Sequence, residues 1–281
     1  EDGGIDAFLG GGSDPSGTAR TILAWAATGH DPEALRHVDT SKTMVDYLSS
    51  VAISYTHQTT YTDSAHLFPG NAGLVLAAAA AANQDGHNFG GMDLITQLQE
   101  TYIEASGAYS TTATEGWDSG LASPVNQAWA IIGLIGAGES VPITATQYLI
   151  EQQETTGAWT FGDPDITALC VTALIASGHI DPTAEPVQSA LQFLRNTQLD
   201  SGGWRPWWDT DPLNADSTGW VLQALVASGY VPPTVSWANP TSPVDALLGM
   251  QQPDGSIGGT YVNPFSTSEA LIGLGQQPVY M

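Results

Sequence analysis

One segment recurs six times along the chain, and it constrains the fold more than any other feature of the sequence. Its clearest copies are residues 18–29, 167–178 and 218–229, each a run of small and apolar residues that stops at Gly and is followed within a few residues by Pro. Residues 127–138 form a fourth copy, residues 71–82 a fifth that stops at Asn83, and residues 267–278 a weaker sixth. The anchors Thr18, Asn71, Gln127, Thr167, Thr218 and Thr267 lie 53, 56, 40, 51 and 49 residues apart. Side-chain oxygens in the first turn of each copy can cap free helix amides. Gly29, Gly138, Gly178 and Gly229 supply the left-handed residue that ends a helix, and the following Pro bars its continuation. Small and apolar residues run nearly all round these segments, which marks buried helices rather than surface ones. A repeat of this length cannot bury its apolar face alone and completes its core on its neighbours. Six such helices side by side make an inner ring.

A second, amphipathic segment alternates with the first and ends in a turn. Residues 144–159 and 189–204 are its best copies, with Gln153, Gly157 and Trp159 in one and Gln198, Gly202 and Trp204 in the other. Gln251 and Gly255 repeat the pattern with Ile257 in place of Trp. Gly107-Ala108-Tyr109 is a looser copy, and residues 47–55 are degenerate. The pattern resembles the QW motif of squalene and oxidosqualene cyclases. It is thereby similar to the superfamily of triterpene cyclases, protein prenyltransferase β subunits, complement thioester domains and the transcobalamin–intrinsic factor domain. The resemblance runs over nearly the whole chain and is specific at two copies. It implies an all-α fold, an α/α toroid (α6/α6 barrel) of six inner helices ringed by outer helices, with ligands at one mouth. The expectation is a single domain over 1–281, with outer helices near 34–49, 93–105, 144–153, 185–198 and 244–251 and negligible strand.

Six inner helices face only five outer ones. Glu1-Asp2-Gly3-Gly4-Ile5 parallels Pro253-Asp254-Gly255-Ser256-Ile257, which follows an outer helix, so the chain starts where an outer helix has just ended. The expectation is that one outer helix is missing and that the chain is a fragment or mature piece of a longer protein. A further domain or a neighbouring copy would then cover the first and last inner helices, near Ile5, Phe8, Leu9 and residues 267–281.

Charge narrows the partners. The chain of 281 residues carries 29 acids against 5 bases, a formal net charge of −24. Such a surface repels phosphate backbones and excludes nucleic acid as a partner. The longest strongly apolar run, residues 73–82, is too short to span a bilayer. Cys170 is the single cysteine, so there is neither a disulfide framework nor a cysteine zinc site. Scarce lysine, strong acidity and abundant Thr, Ser, Asn and Gly point to an extracellular or cell-surface protein. No cofactor is required by any motif. The turns Asp85-Gly86-His87-Asn88 and Asp209-Thr210-Asp211 offer the oxygen ligands that calcium takes, without the spacing of an EF-hand.

The resemblance also offers chemistry to compare residue by residue. Prenyltransferases hold zinc through Asp, Cys and His, but Cys170 lies inside a buried helix with no Asp two residues before it. The Gly-Cys-Gly-Glu-Gln segment of thioester domains is absent. Squalene–hopene cyclases protonate an alkene with the middle acid of Asp-x-Asp-Asp-Thr-Ala. Here Asp163-Pro164-Asp165-Ile166-Thr167-Ala168 matches the first two acids and has Ile166 at the third. Asp216-Ser217-Thr218 occupies the same place one repeat later, and acids there are expected as helix caps. Triterpene cyclases use two toroids with substrate between them, whereas this chain has one. Loops before the inner helices carry Tyr109, Trp117, Asp118, Trp159, Phe161, Trp204, Trp207, Trp208, Asp209, Asp211, Tyr261 and Asn263. Gathered at one mouth, aromatic faces with carboxylates could take an isoprenoid, a carbohydrate or another small molecule. The leading expectation is therefore a non-catalytic ligand-binding or surface-scaffold toroid. The alternative is a squalene–hopene cyclase-like enzyme with Asp165 as general acid and Asp163 in support. Capping by Asp163 or Asp165 would depress the pKa of the capping group, and catalysis would need a raised one.

Overall fold

A computed structural model of the chain describes residues 2–7, 10–59, 65–110, 122–232, 237, 241–259 and 262–280. The helices in chain order are α1 (Pro15–Ala27), α2 (Met44–Thr56), α3 (Pro69–Ala81), α4 (Leu94–Glu100), α5 (Pro124–Gly136), α6 (Ile143–Glu151), α7 (Pro164–Ala176), α8 (Glu185–Thr197), α9 (Ala215–Ala227), α10 (Pro243–Leu248) and α11 (Pro264–Leu274). The odd-numbered helices are the six repeated segments. Each packs on the next, and α11 packs back on α1, so the inner ring closes. The even-numbered helices lie outside it. The chain is an all-α toroid, as the repeat implies.

Local sequence sets each inner helix. Pro occupies the first position of five of them, where a missing N–H costs nothing. Asp14, Ser123, Asp163, Asn214 and Asn263 stand just before a helix and accept hydrogen bonds from its first-turn amides. The expected glycine stops take positive φ, +81° at Gly29 and at Gly229.

The fourth residue of the inner helices ties down the loop that precedes each one. The hydroxyls of Thr18, Thr167, Thr218 and Thr267 and the amide oxygen of Gln127 accept from the backbone N–H groups of Ile5, Trp159, Trp204, Ile257 and Tyr109. In α3 that position is Ala72, and the anchor Asn71 instead donates to the Tyr55 carbonyl at 2.9 Å.

Two crossings in the ring are backbone to backbone. A Cβ on Gly133 of α5 would lie 2.4 Å from the Gly73 carbonyl oxygen of α3, and one on Gly219 of α9 would lie 2.1 Å from the Glu269 carbonyl oxygen of α11. Glycine at these places is required by close approach.

The Gln-Gly-Trp segments fasten the outer layer. Trp159 Nε1 donates to the Leu149 carbonyl and Trp204 Nε1 to the Leu194 carbonyl, both at 2.8 Å. Gln153 Nε2 donates to the carbonyls of Gly157 and Pro186, joining the turn after α6 to the start of α8.

Some boundaries differ from expectation. The first outer helix is α2 at Met44–Thr56 instead of 34–49, because Thr43 and Asp46 form a reciprocal capping box that starts it there. The second ends at Glu100 instead of 105, because the chain turns into a hairpin pairing β3 (Tyr102–Ile103) with β4 (Ala108–Tyr109). A second small hairpin pairs β1 (His57–Thr59) with β2 (Ala65–Leu67).

Among the described residues, α1, α3, α5, α7 and α9 each pack against an outer helix, whereas α11 packs chiefly against its inner neighbours α9 and α1. Along the seam of α11 and α1 runs an apolar groove of about 830 Å³, bordered by Ile5, Ala24, Trp25, Val262 and Leu271. Phe8 and Leu9, expected at this seam, lie outside the described residues. Among the described residues no helix is long and apolar enough to cross a membrane.

Candidate active site

The start of each inner helix presents its second and sixth residues one turn apart on a single face, since positions i and i+4 align. At the second position stand Ser16, Gly70, Val125, Asp165, Asp216 and Phe265. At the sixth stand Arg20, Leu74, Trp129, Leu169, Trp220 and Glu269. Members of these two tiers enclose a cavity of about 180 Å³. Val125, Leu169, Trp129 and Trp220 supply its apolar wall, with the two indole rings edge to face at 5.5 Å. Asp165, Glu269 and Arg20 supply its polar lining.

Asp163 and Asp165 divide two tasks that the sequence left together. Asp163 Oδ1 accepts from the backbone amides of Asp165 and Ile166 and caps α7. Asp165 does not cap; it lines the cavity, and its Oδ1 is shielded from solvent without a hydrogen-bond partner. Burial pushes the Asp165 carboxyl well above the usual carboxylate range, and the negative charges of Asp163, Glu269 and Asp216 push it further, against the Ser217 hydroxyl. The expected depressed pKa of a capping acid is not found at Asp163. Burial raises it and outweighs the two amide hydrogen bonds.

Two further acids from neighbouring helices share this environment. Burial and the charge of Glu269 push Asp216 up to about 7, with Arg20 opposing. Glu269 is raised by burial, again against Arg20, whose Nε lies 2.6 Å from Glu269 Oε1. Arg20 also donates to Ser16 and stacks over the Phe265 ring at 5.7 Å. The result is one committed cation and three carboxyl groups held toward their neutral forms.

The aromatic residues expected at the mouth separate. Tyr109, Trp159 and Trp204 are buried in the wall, at 1%, 0% and 0% exposure, and do not line the cavity. Phe161, Trp207 and Trp208 are exposed on the loops. Asp209 accepts from the Asp211 amide and from Asn214 Nδ2; these bonds lower its pKa although burial works against them. Its oxygens therefore serve their own loop, and Asp85 likewise accepts from the His87 amide. Trp117, Asp118 and Tyr261 lie outside the described residues. Cys170 is buried in α7 with its thiol toward the Pro124 carbonyl. Among the described residues no three His, Cys, Asp or Glu side chains are grouped to hold a metal ion.

Sequence reading missed Arg20, Trp129, Trp220 and Glu269 and treated Asp216 as a cap. All five lie two residues before or after a repeat anchor, so aligning the repeats at those anchors would have brought them into register.

No family model matches the chain. Over 86 residues it is 36% identical to a copalyl diphosphate synthase from Streptomyces cyslabdanicus, a stretch that spans 29% of this chain and 15% of that protein. The ent-copalyl diphosphate synthase from Streptomyces platensis superposes with a TM-score of 0.57 at 18% identity, over 93% of this chain and 50% of that one. The chain thus spans about half the length of that synthase. The type II terpene cyclase MstE from Scytonema gives a TM-score of 0.61 at 15% identity, over 93% of this chain and 88% of that one, and a variant of it has been solved with geranylgeranyl dihydroxybenzoate as substrate. The fold is that of the terpenoid cyclase and protein prenyltransferase toroid superfamily.

These findings overturn the expectation of a non-catalytic binding or scaffold toroid. The similar proteins are terpene cyclases. The argument that one toroid is too few also fails, because the matched MstE chain is nearly as short as this one.

Proposed function

We propose that the chain is a class II terpene cyclase-like enzyme in which Asp165 is the general acid. The observation that carries this reading is a buried carboxyl, unpartnered at Oδ1 and pushed toward its neutral form by burial, on a cavity wall shared by Val125, Ile166, Leu169, Trp129 and Trp220 with the Arg20–Glu269 pair. A general acid for an alkene must hold its proton until the substrate arrives and be shielded from water. In the reaction the Asp165 O–H bond breaks and its proton forms a C–H bond with one alkene carbon, using the π electron pair. The other alkene carbon becomes cationic and is attacked by the next double bond, closing a ring. Loss of a proton from the last cation to a base ends the sequence with no net oxidation. The faces of Trp129 and Trp220 can stabilise the passing positive charge. Asp163 supports the acid by fixing the first turn of α7 and by adding negative charge beside it.

The test is incubation of the purified chain with linear polyprenyl substrates, followed by mass spectrometry of cyclised products. Asp165→Asn should lower turnover by about 10²–10⁴-fold, the usual contribution of a positioned general acid. Cyclisation that survives this substitution would refute the assignment.

A further inference from the structure

We infer that the substrate of this cavity is an uncharged terpenoid olefin and not a prenyl diphosphate. The inference rests on the cyclase reading and narrows its substrate class.

The argument is a census of positive charge. A diphosphate is held by cationic side chains, by free amides at helix N-termini, or by both. The chain has 5 Lys and Arg residues in all. Arg20 is the one that lines the cavity, and it is engaged by Glu269 at 2.6 Å, by Ser16 and by the Phe265 ring. Lys42 and Arg36 are exposed before α2, and Arg195 is exposed on the outer helix α8. Arg205 lies in the loop before α9 and donates to the Asp211 carbonyl, with the Asp209 carboxylate beside it. None of the six His lines the cavity.

The helix starts offer no substitute. The caps Asp14, Ser123, Asp163, Asn214 and Asn263 already accept from first-turn amides of five of the six inner helices. Two of the same helices place Asp165 and Glu269 on the cavity wall, and a third carries Asp216, whose charge acts on Asp165. A multiply charged anion brought here would meet carboxyl groups and a cation that is already paired, so its desolvation would go uncompensated. It would also repel the ionised forms of the acids, raising their pKa further and making Asp165 a weaker acid. An olefin with a hydroxyl or no polar group at all packs on the apolar wall and leaves the Arg20–Glu269 pair intact.

The test uses matched ligands on the full chain: farnesol against farnesyl diphosphate, and geranylgeraniol against geranylgeranyl diphosphate. Binding is followed by tryptophan fluorescence at low ionic strength, with and without magnesium, and Trp129→Phe and Trp220→Phe locate the signal. Each alcohol should bind at least tenfold more tightly than its diphosphate, and added salt should narrow the gap as it screens the repulsion. Equal or tighter binding of either diphosphate, with or without magnesium, overturns the inference. So does diphosphate binding that vanishes in Arg205→Ala, or failure of both alcohols to perturb Trp129 and Trp220. Product analysis of the same samples separates the two readings. Alcohols that bind the cavity and are never cyclised sink the cyclase reading while the ligand class stands.

Discussion

Replacing Asp216 by Asn should stabilise the folded chain at neutral and alkaline pH and destabilise it slightly in acid. In the unfolded chain this carboxyl has its ordinary value of 3.8; in the ring, burial and Glu269 push it up to about 7 against Arg20. Between those two values the folded state binds more protons than the unfolded one. Stability therefore falls as pH rises through that window and is level on either side of it. At about 1.4 kcal/mol per pH unit, the full window removes about 4 kcal/mol by pH 8. The amide of the Asn variant never ionises, so it escapes this loss. It remains a half-buried polar group beside Glu269 and gives back roughly 1–2 kcal/mol if its own hydrogen bonds are incomplete. The expected net gain is about 2–3 kcal/mol at pH 8, turning into a loss of about 1–2 kcal/mol at pH 4 where only the amide penalty remains. Urea unfolding of both proteins at pH 4, 6 and 8 measures it, provided the slopes agree. A gain of the same size at every pH, or a loss at pH 8, would refute the linkage argument.

The ring geometry makes two further predictions. Gly133→Ala drives a methyl into the Gly73 backbone and should cost about 3 kcal/mol or more. Gly136→Ala, three residues along the same helix with nothing nearer than 3.8 Å, should be neutral or gain up to about 1 kcal/mol of helix propensity. Chemical denaturation of the pair checks both. Trp159→Phe leaves the buried Leu149 carbonyl without its donor and should cost about 1–3 kcal/mol, whereas Trp207→Ala, at 71% exposure, should move the thermal midpoint very little.

Much of the fold was legible because it is periodic. Glycine stops, Pro starts and capping residues recur with every inner helix, so six weak signals reinforce one another. The outer layer was less legible where a short-range device intervened. The Thr43–Asp46 box delays α2, and the β3–β4 pairing shortens α4; neither recurs at the other outer helices. The Gln-Gly-Trp copies were visible, and so was their role as fasteners, because Trp159 and Trp204 find their hydrogen-bond partners ten residues back in their own repeat. The site was legible only in part. Asp163-Pro164-Asp165 stood out as a local motif, but its division into cap and cavity acid depends on rotation about α7. Arg20, Asp216 and Glu269 are separated by tens to hundreds of residues and meet only because the ring closes.

Ring closure also explains how the site manages with Ile166 where the cyclase motif has a third acid. In a three-acid motif the negative charge that keeps the proton donor neutral comes from its own segment. Here Asp163 supplies part of it from the same segment, and the rest comes sideways, from Glu269 on α11, itself anchored by Arg20 on α1, and from Asp216 on α9. Glu269→Gln tests this arrangement. It removes one negative charge near Asp165 and releases Arg20 from its ion pair, and both changes favour ionised Asp165 and Asp216. In the proposed mechanism Asp165 must be protonated, so activity should fall as pH rises through the pKa of that group. The variant should show the fall at a lower pH, with turnover at acid pH preserved. A profile that keeps its alkaline limb in place would mean that Glu269 serves only to hold α11 against α1. A uniform loss of turnover at every pH would mean that it contacts the reacting substrate instead of tuning the acid.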